Sequence, residues 1–249
     1  MPLAGDLNIP FSQANETPST NQMVHEVVFM SEGKTIPWVR VPGHEHAAIG
    51  YALDAGASLV LPQINTVAEA QHCCSAAKFG TKQRGTRSAP PFRLIPEVTA
   101  IPMNKSKTMH ENLNDQAAIM IQIETQEGID NLDDILTQVP DIDAVWLGTL
   151  DIRVSMNMVA TGFPGPEEEY VSAVRKFEDV LRKHDMPRGG IALGDPEMVK
   201  CLGKDNALSF IAADVMALGG LAASLGPARE MFPAERKMRG GGEEGSPPW

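Results

Sequence analysis

A chain of 249 residues is long enough for one large α/β domain with a sizeable core. Its 43% hydrophobic and 21% charged residues are ordinary for a soluble globular protein, and no apolar run approaches the roughly 20 residues of a bilayer-spanning helix. The net charge of -11, with scattered Lys and Arg, excludes a nucleic-acid surface, which needs clustered cations.

In chain order, residues 1–22 read as a polar, turn-forming lead. A helix is expected over Asn21–Ser31, then strand Ile36–Val41, helix His46–Ala55, strand Ser58–Pro62 and helix Thr66–Ala77. Cys73 and Cys74 fall in that last helix. With Cys201 they are too few for a disulfide framework, and all three are read as reduced packing residues. The stretch Gly80–Asn114, rich in Pro, Arg and Lys, is read as a functional loop or an insertion over the site. Strand Ala117–Ile123 and helix Gly128–Leu136 follow, then strand Ala144–Gly148 and helix Pro166–His184. The pattern ends with strand Gly190–Leu193, helix Pro196–Lys204, strand Phe210–Ala213 and helix Met216–Met231.

Short apolar runs alternating with longer amphipathic segments are the mark of buried parallel strands joined by helices. The fold class expected is therefore α/β, a (β/α)8 TIM barrel with six strands visible and its start, before Ile36, incomplete. Domain organisation follows: lead 1–22, barrel domain 23–232, and a disordered Gly- and Pro-rich tail 233–249. The N-terminus lacks a basic start and an apolar h-region, which argues against a secretory signal and makes the cytoplasm the expected compartment.

Two strands end in acid. Ala117–Ile123 runs into Glu124, and Ala144–Gly148 is followed by Asp151. In a barrel the C-terminal strand ends face the active-site mouth, so these carboxylates could act as hard oxygen ligands for a dication with coordination positions left open. The alternative is helix capping, since each precedes a helix. Gly219-Gly220-Leu221-Ala222-Ala223-Ser224-Leu225-Gly226 lacks the lysine and the spacing of a phosphate-binding loop and reads as helix packing.

Gln122-Ile123-Glu124-Thr125 and Gly148-Thr149-Leu150-Asp151 occur with Trp38-Val39-Arg40-Val41-Pro42 and Ala52-Leu53-Asp54-Ala55-Gly56 upstream. In this order the four motifs resemble the HpcH/HpaI aldolase/citrate lyase family, the metal-dependent pyruvate aldolases, over roughly Met23 to Phe232, in its fungal macrophomate-synthase-like branch. The resemblance implies that Glu124 and Asp151 hold a divalent metal, Mg²⁺ or Mn²⁺ with Co²⁺ a further candidate. It implies that Gln122, Leu150, Asp151 and Arg84 contact substrate, that Arg40 meets the substrate oxygen where negative charge develops, and that Asp54 raises the basicity of a catalytic histidine. Pyruvate or another 2-oxo acid and an aldehyde are the implied partners, without nucleic acid or membrane. The implied assembly is a homo-oligomer, a hexamer of swapped dimers formed through the last helix.

The sequence departs from the family's pattern in several places. In Leu7-Asn8-Ile9-Pro10, Asn8 stands where the family's histidine is expected, and asparagine cannot take a proton at neutral pH. Arg87 replaces a glycine in Arg84-Gly85-Thr86-Arg87, where an extra cation could alter acceptor choice, and Thr149, Leu150 and Arg153 suggest a non-standard pocket. His44 and His46 could lie near the mouth, as a substitute base or metal ligand, while His25, His72, His110 and His184 show no partner pattern. Three readings stay open: a carbon–carbon lyase working through a pyruvate enolate, a truncated or catalytically reduced barrel serving as a metabolite binder or assembly partner, and a citrate-lyase-like enzyme acting on CoA thioesters.

Overall fold

A computed structural model of the chain describes residues 11–12, 18–32, 34–80, 84–89, 104–159 and 165–231. Asn8, most of the Pro- and Arg-rich part of the long connection, and the tail 233–249 lie outside them. The chain divides into two compact units, Met1–Phe210 and Ile211–Trp249.

The first unit alternates strand and helix. Its strands are β1 (Phe11–Ser12), β2 (Trp38–Arg40), β3 (Ser58–Leu61), β4 (Ile119–Ile123), β5 (Ala144–Leu147), β6 (Arg188–Ile191) and β7 (Leu208–Phe210). They form one seven-stranded sheet in the sequential order β1 to β7, each neighbouring pair parallel. Four of the expected strands form within their expected bounds, and the last two are corrected toward the N-terminus, Gly190–Leu193 to Arg188–Ile191 and Phe210–Ala213 to Leu208–Phe210. Phe11–Ser12, in what reads as a polar lead, adds an edge strand beside β2. The helices are α1 (Pro18–Met30), α2 (His46–Asp54), α3 (Val67–Ala77), α4 (Met109–Gln116), α5 (Gln126–Gln138), α6 (Thr149–Ser155), α7 (Glu168–Lys183) and α8 (Pro196–Gly203). In the second unit α9 spans Asp214–Met231, so the glycine run Gly219–Gly226 is helical, as read from sequence.

Two helices are additions to the sequence reading. Helix α4 lies partly in the stretch read as a loop, and α6 begins directly after β5. The start of α4 is set by a capping box in which Thr108 Oγ1 accepts from the Glu111 N–H and the Glu111 carboxylate accepts from the Thr108 N–H. Thr66 and Glu69 do the same for α3. Asp195 caps α8, with Pro196 at the first helical position.

Side chains alternate between the two sheet faces. Val39, Leu59, Leu61, Ile119, Ile121, Ile123, Val145 and Leu147 share one buried cluster with apolar helix residues such as Ile129, Leu132, Ile135, Phe177 and Leu181. The opposite face carries Val60, Met120, Ala144 and Trp146, with Trp38, Leu208 and Phe210 packed against them. The sheet curls about this inner face. Trp146 of β5 stacks on Phe210 of β7 with centroids 4.4 Å apart, and a Cβ on Gly189 of β6 would stand 2.8 Å from Met120 Sδ of β4. A missing side chain on β6 makes room for a long one two strands away.

The cysteine reading holds for two residues and is corrected for the third. Cys73 and Cys74 are buried, and burial pushes both thiols up to about 12, leaving them inert. Cys201 is exposed. Among the described residues, no helix is long and apolar enough to cross a membrane.

Gly85 permits a close chain crossing. A Cβ there would lie 2.0 Å from the Lys78 carbonyl oxygen, the group that accepts from the Arg87 N–H at 3.0 Å. Gly85→Ala is expected to destabilise the fold by about 3 kcal/mol, the upper end for overpacking, because the obstacle is backbone. Urea melts of the two proteins would measure this, and an unchanged midpoint would contradict the crossing.

Candidate active site

Parity and register bring the first three site residues together. Arg40 pairs with Val60, Val60 with Met120, and Gln122 with Trp146, so Arg40 and Gln122 share the inner face at the C-terminal strand ends. Glu124, two residues beyond Gln122, continues that row. Arg40 Nε donates to Gln122 Oε1 at 2.7 Å, and an Arg40 terminal nitrogen stands 3.9 Å from Glu124 Oε1. The tight bond goes to the neutral amide and the loose contact to the carboxylate. Gln122 is therefore an orienting partner for the guanidinium.

Glu124 is only 2% exposed, and its Oε2 accepts the Gln63 backbone N–H at 3.0 Å. Burial raises its pKa above the ordinary carboxylate range and the Asp151 charge raises it further, opposed by Arg40 and the Gln63 N–H. Helix capping does not account for Glu124. The N-cap of α5 is Thr125, whose Oγ1 accepts from the Gly128 N–H at 3.0 Å.

Asp151 lies in the first turn of α6, with Gly148 as the N-cap, and is exposed. Its position so near a helix start fits the capping alternative in part, but its charge also acts on Glu124. Gly148 is what lets the two elements meet. A Cβ on it would stand 2.7 Å from Glu124 Cγ and 3.0 Å from Oε1. Its φ of -74° is open to any residue, so here glycine supplies space and not conformational freedom.

The other candidates are placed elsewhere or more loosely. Leu150 is 42% exposed on the first turn of α6, beside Asp151. Asp54 ends α2, four residues before β3 begins, so it sits toward the N-terminal end of the parallel strands, opposite Arg40 and Glu124. There it accepts from Arg87 at 2.7 Å. That pair corrects the reading of Arg87 as an extra cation beside the substrate, because Arg87 is buried against Asp54 with its guanidinium 4.7 Å from the Phe79 ring centroid. The Arg84 carbonyl accepts from Ser75 Oγ near the end of α3, which fixes its backbone beside an outer helix. Arg153 also turns away, donating to the Val159 carbonyl and to both oxygens of Glu167.

The two histidines of the β2–α2 turn diverge. His46 Nε2 is 2.9 Å from the Thr86 carbonyl oxygen, whereas His44 Nε2 is 2.7 Å from that of Pro62, next to Gln63. Sequence reasoning missed Gln63 because a backbone N–H carries no residue signature. Gly148 had a visible sign, a glycine immediately before Thr149-Leu150-Asp151, but it read as a strand boundary.

Among the described residues no group of three or more His, Cys, Asp or Glu could hold a metal ion. The donor set that does converge is two carboxylates, one of them buried. Such a pair suits a hard dication that keeps positions for water and an oxygen-rich ligand.

Residues 16–183 match the family model HpcH/HpaI aldolase/citrate lyase. The chain is 33% identical over 126 residues to a hydroxypyruvate/pyruvate aldolase of Roseovarius nubinhibens, a match covering 48% of this chain and 44% of that protein. It is 25% identical over 206 residues to a 2-keto-3-deoxy-L-rhamnonate aldolase of Klebsiella pneumoniae, covering 80% of this chain and 72% of that one. A crystal structure of macrophomate synthase is similar with a TM-score of 0.72 at 28% identity, covering 85% of this chain and 73% of that one. The match thus spans under half the length of the first of these relatives.

Proposed function

The chain belongs to the HpcH/HpaI aldolase/citrate lyase family, and from that premise we propose that it is a divalent-metal-dependent carbon–carbon lyase that cleaves or forms 2-oxo acids through the enolate of pyruvate. The observation that carries this reading is Glu124, a carboxylate sealed among strand ends with the charge of Asp151 raising its pKa and Arg40 no nearer than a loose 3.9 Å contact. A buried carboxylate so poorly neutralised beside a second, exposed acid is costly by itself and is satisfied by a dication. Glu124 and Asp151 would hold Mg²⁺, Mn²⁺ or Co²⁺. When bound, the ion supplies Lewis acidity that eases removal of a proton from the pyruvate methyl carbon.

The protein's own groups do the rest. Gln122 Oε1 is committed to Arg40, so its amide presents the Nε2 donor to a 2-oxo acid. Arg40, with 26% of its side chain exposed, is anchored through Nε and directs its terminal nitrogens to the mouth, where they stabilise negative charge growing on the keto oxygen. In the cleavage direction the bond between C3 and C4 of a 4-hydroxy-2-oxo acid breaks. Its electron pair passes to the enolate, the C4 hydroxyl gives up its proton as the aldehyde forms, and the enolate is protonated at carbon. The consecutive parallel order β1 to β7 supports treating the sheet as part of a (β/α)8 barrel. A homo-oligomeric assembly belongs to the same reading and is tested by analytical ultracentrifugation.

The direct test is NMR of pyruvate methyl-proton exchange in D₂O with Mn²⁺ or Mg²⁺, on the purified chain and on Glu124→Ala. Metal-dependent exchange in the first and not the second is expected. Equal exchange in both would sink the proposal. Arg40→Lys keeps the charge but loses the fork that grips Gln122 while facing the mouth, so exchange is expected to fall about tenfold.

A further inference from the structure

We propose that His44 is a positioning residue for Glu124, acting through the single peptide unit that joins Pro62 to Gln63. The inference rests on the proposed function only for its consequence at the metal. The relay itself is a matter of geometry.

His44 Nε2 lies 2.7 Å from the Pro62 carbonyl oxygen, and a carbonyl can only accept, so Nε2 carries the proton. That carbonyl and the Gln63 N–H are opposite ends of one planar amide. The N–H donates to Glu124 Oε2 at 3.0 Å. A donor on the oxygen of an amide polarises its N–H and fixes its plane, so the histidine both strengthens and aims the bond that Glu124 receives.

This peptide needs to be held. Gln63 adopts φ 50°, a left-handed conformation that a side chain with a Cβ rarely takes and that persists only where neighbours enforce it. The flanking backbone is secured independently, by Val41 N–H to Val60 O at 3.1 Å and Ile64 N–H to Gln122 O at 3.1 Å. Between those two points His44 is the group bonded to the Pro62 carbonyl. Were it released, the peptide could turn, and the group facing Glu124 would change from a donor to an acceptor, repelling the carboxylate. His44 is in turn fixed by His72, whose Nε2 lies 2.9 Å from the His44 carbonyl oxygen. Three strand ends are thereby tied together: the turn after β2, the end of β3 and the end of β4.

Three variants separate this role from acid–base chemistry. His44→Gln places an amide N–H the same number of bonds from Cα as Nε2, His44→Leu has no donor, and His44→Asn has a donor one bond short. In the metal-free full chain, hydrogen exchange at the Gln63 amide is expected to quicken about tenfold in His44→Leu and His44→Asn and to stay near wild type in His44→Gln. Mn²⁺ affinity, read by calorimetry, is expected to drop about tenfold in the first two and recover in the third, as for removal of a group that orients a metal ligand. Unchanged Gln63 exchange in folded His44→Leu or His44→Asn would overturn the proposal, as would a His44→Gln as impaired as they are. If the wild-type chain binds no Mn²⁺, the lyase reading fails while Gln63 exchange still decides the role of His44.

Discussion

Replacing Glu124 with glutamine is expected to cut metal-dependent pyruvate exchange by about 1000-fold, while leaving the metal-free fold at least as stable as wild type at pH 7. The two effects have one cause. Burial and the Asp151 charge make the ionised form of Glu124 unfavourable in the folded chain, so its folded pKa lies above its unfolded one. Between these values the native state binds more protons than the unfolded state, and stability falls as pH rises. The contribution is fully present below the ordinary Glu value of about 4.3 and is lost as pH climbs through the raised folded value. Glutamine cannot ionise, and its Oε1 can still accept the Gln63 N–H. Thermal melts of the metal-free proteins across pH 4 to 8 should show a steeper decline for wild type than for Glu124→Gln. Added Mn²⁺ should raise the wild-type midpoint by mass action and leave the variant unmoved. Identical pH slopes together with identical Mn²⁺ shifts would remove Glu124 from the site.

Gly148→Ala is expected to weaken Mn²⁺ binding and pyruvate exchange about 100-fold although it alters no donor. The new Cβ would stand 2.7 Å from Glu124 Cγ, closer than such atoms pack, and the Glu124 side chain must move because Gly148 belongs to the backbone between β5 and α6. Alanine tolerates the local φ of -74°, so the fold itself should survive. The informative result is thus a loss of binding with little loss of stability. Wild-type affinity in Gly148→Ala would show that the contact relaxes freely and that spacing between β4 and α6 does not control the carboxylate. A collapse in stability of the same size as that of Gly85→Ala would show instead that the glycine serves the fold.

Strands and most helices were legible because the signal for each is local. Ile119–Ile123 is buried at all five positions, and a run covered on both faces reads as nearly continuous apolar sequence, interrupted here by Gln122 alone. Where that signal is weak the sequence reading falls short. Phe11–Ser12 is two residues long, too short for any period, and is a strand because β2 offers it a partner. Helix α4, Met-His-Glu-Asn-Leu-Asn-Asp-Gln, has no apolar stripe, and its surviving sign was the capping box Thr108 to Glu111.

The site divides the same way. Glu124 and Asp151 stood out as acids at strand ends, and Arg40 and Gln122 were picked out by motifs that resemble the family, because residue type and order are both written along the chain. That Arg87 would spend its charge on Asp54, and Arg153 on Glu167, depended on which elements lie side by side. The Gln63 N–H on Glu124, the His44 ring on the same peptide and the empty volume at Gly148 likewise arise where separate strand ends meet. By itself the sequence nominated candidate groups for a dication and a 2-oxo acid, because residue type sets charge and donor capacity. Only the tertiary structure decided how the buried carboxylate is aimed, because backbone donors and vacant space belong to no residue type and exist only once distant segments are packed together.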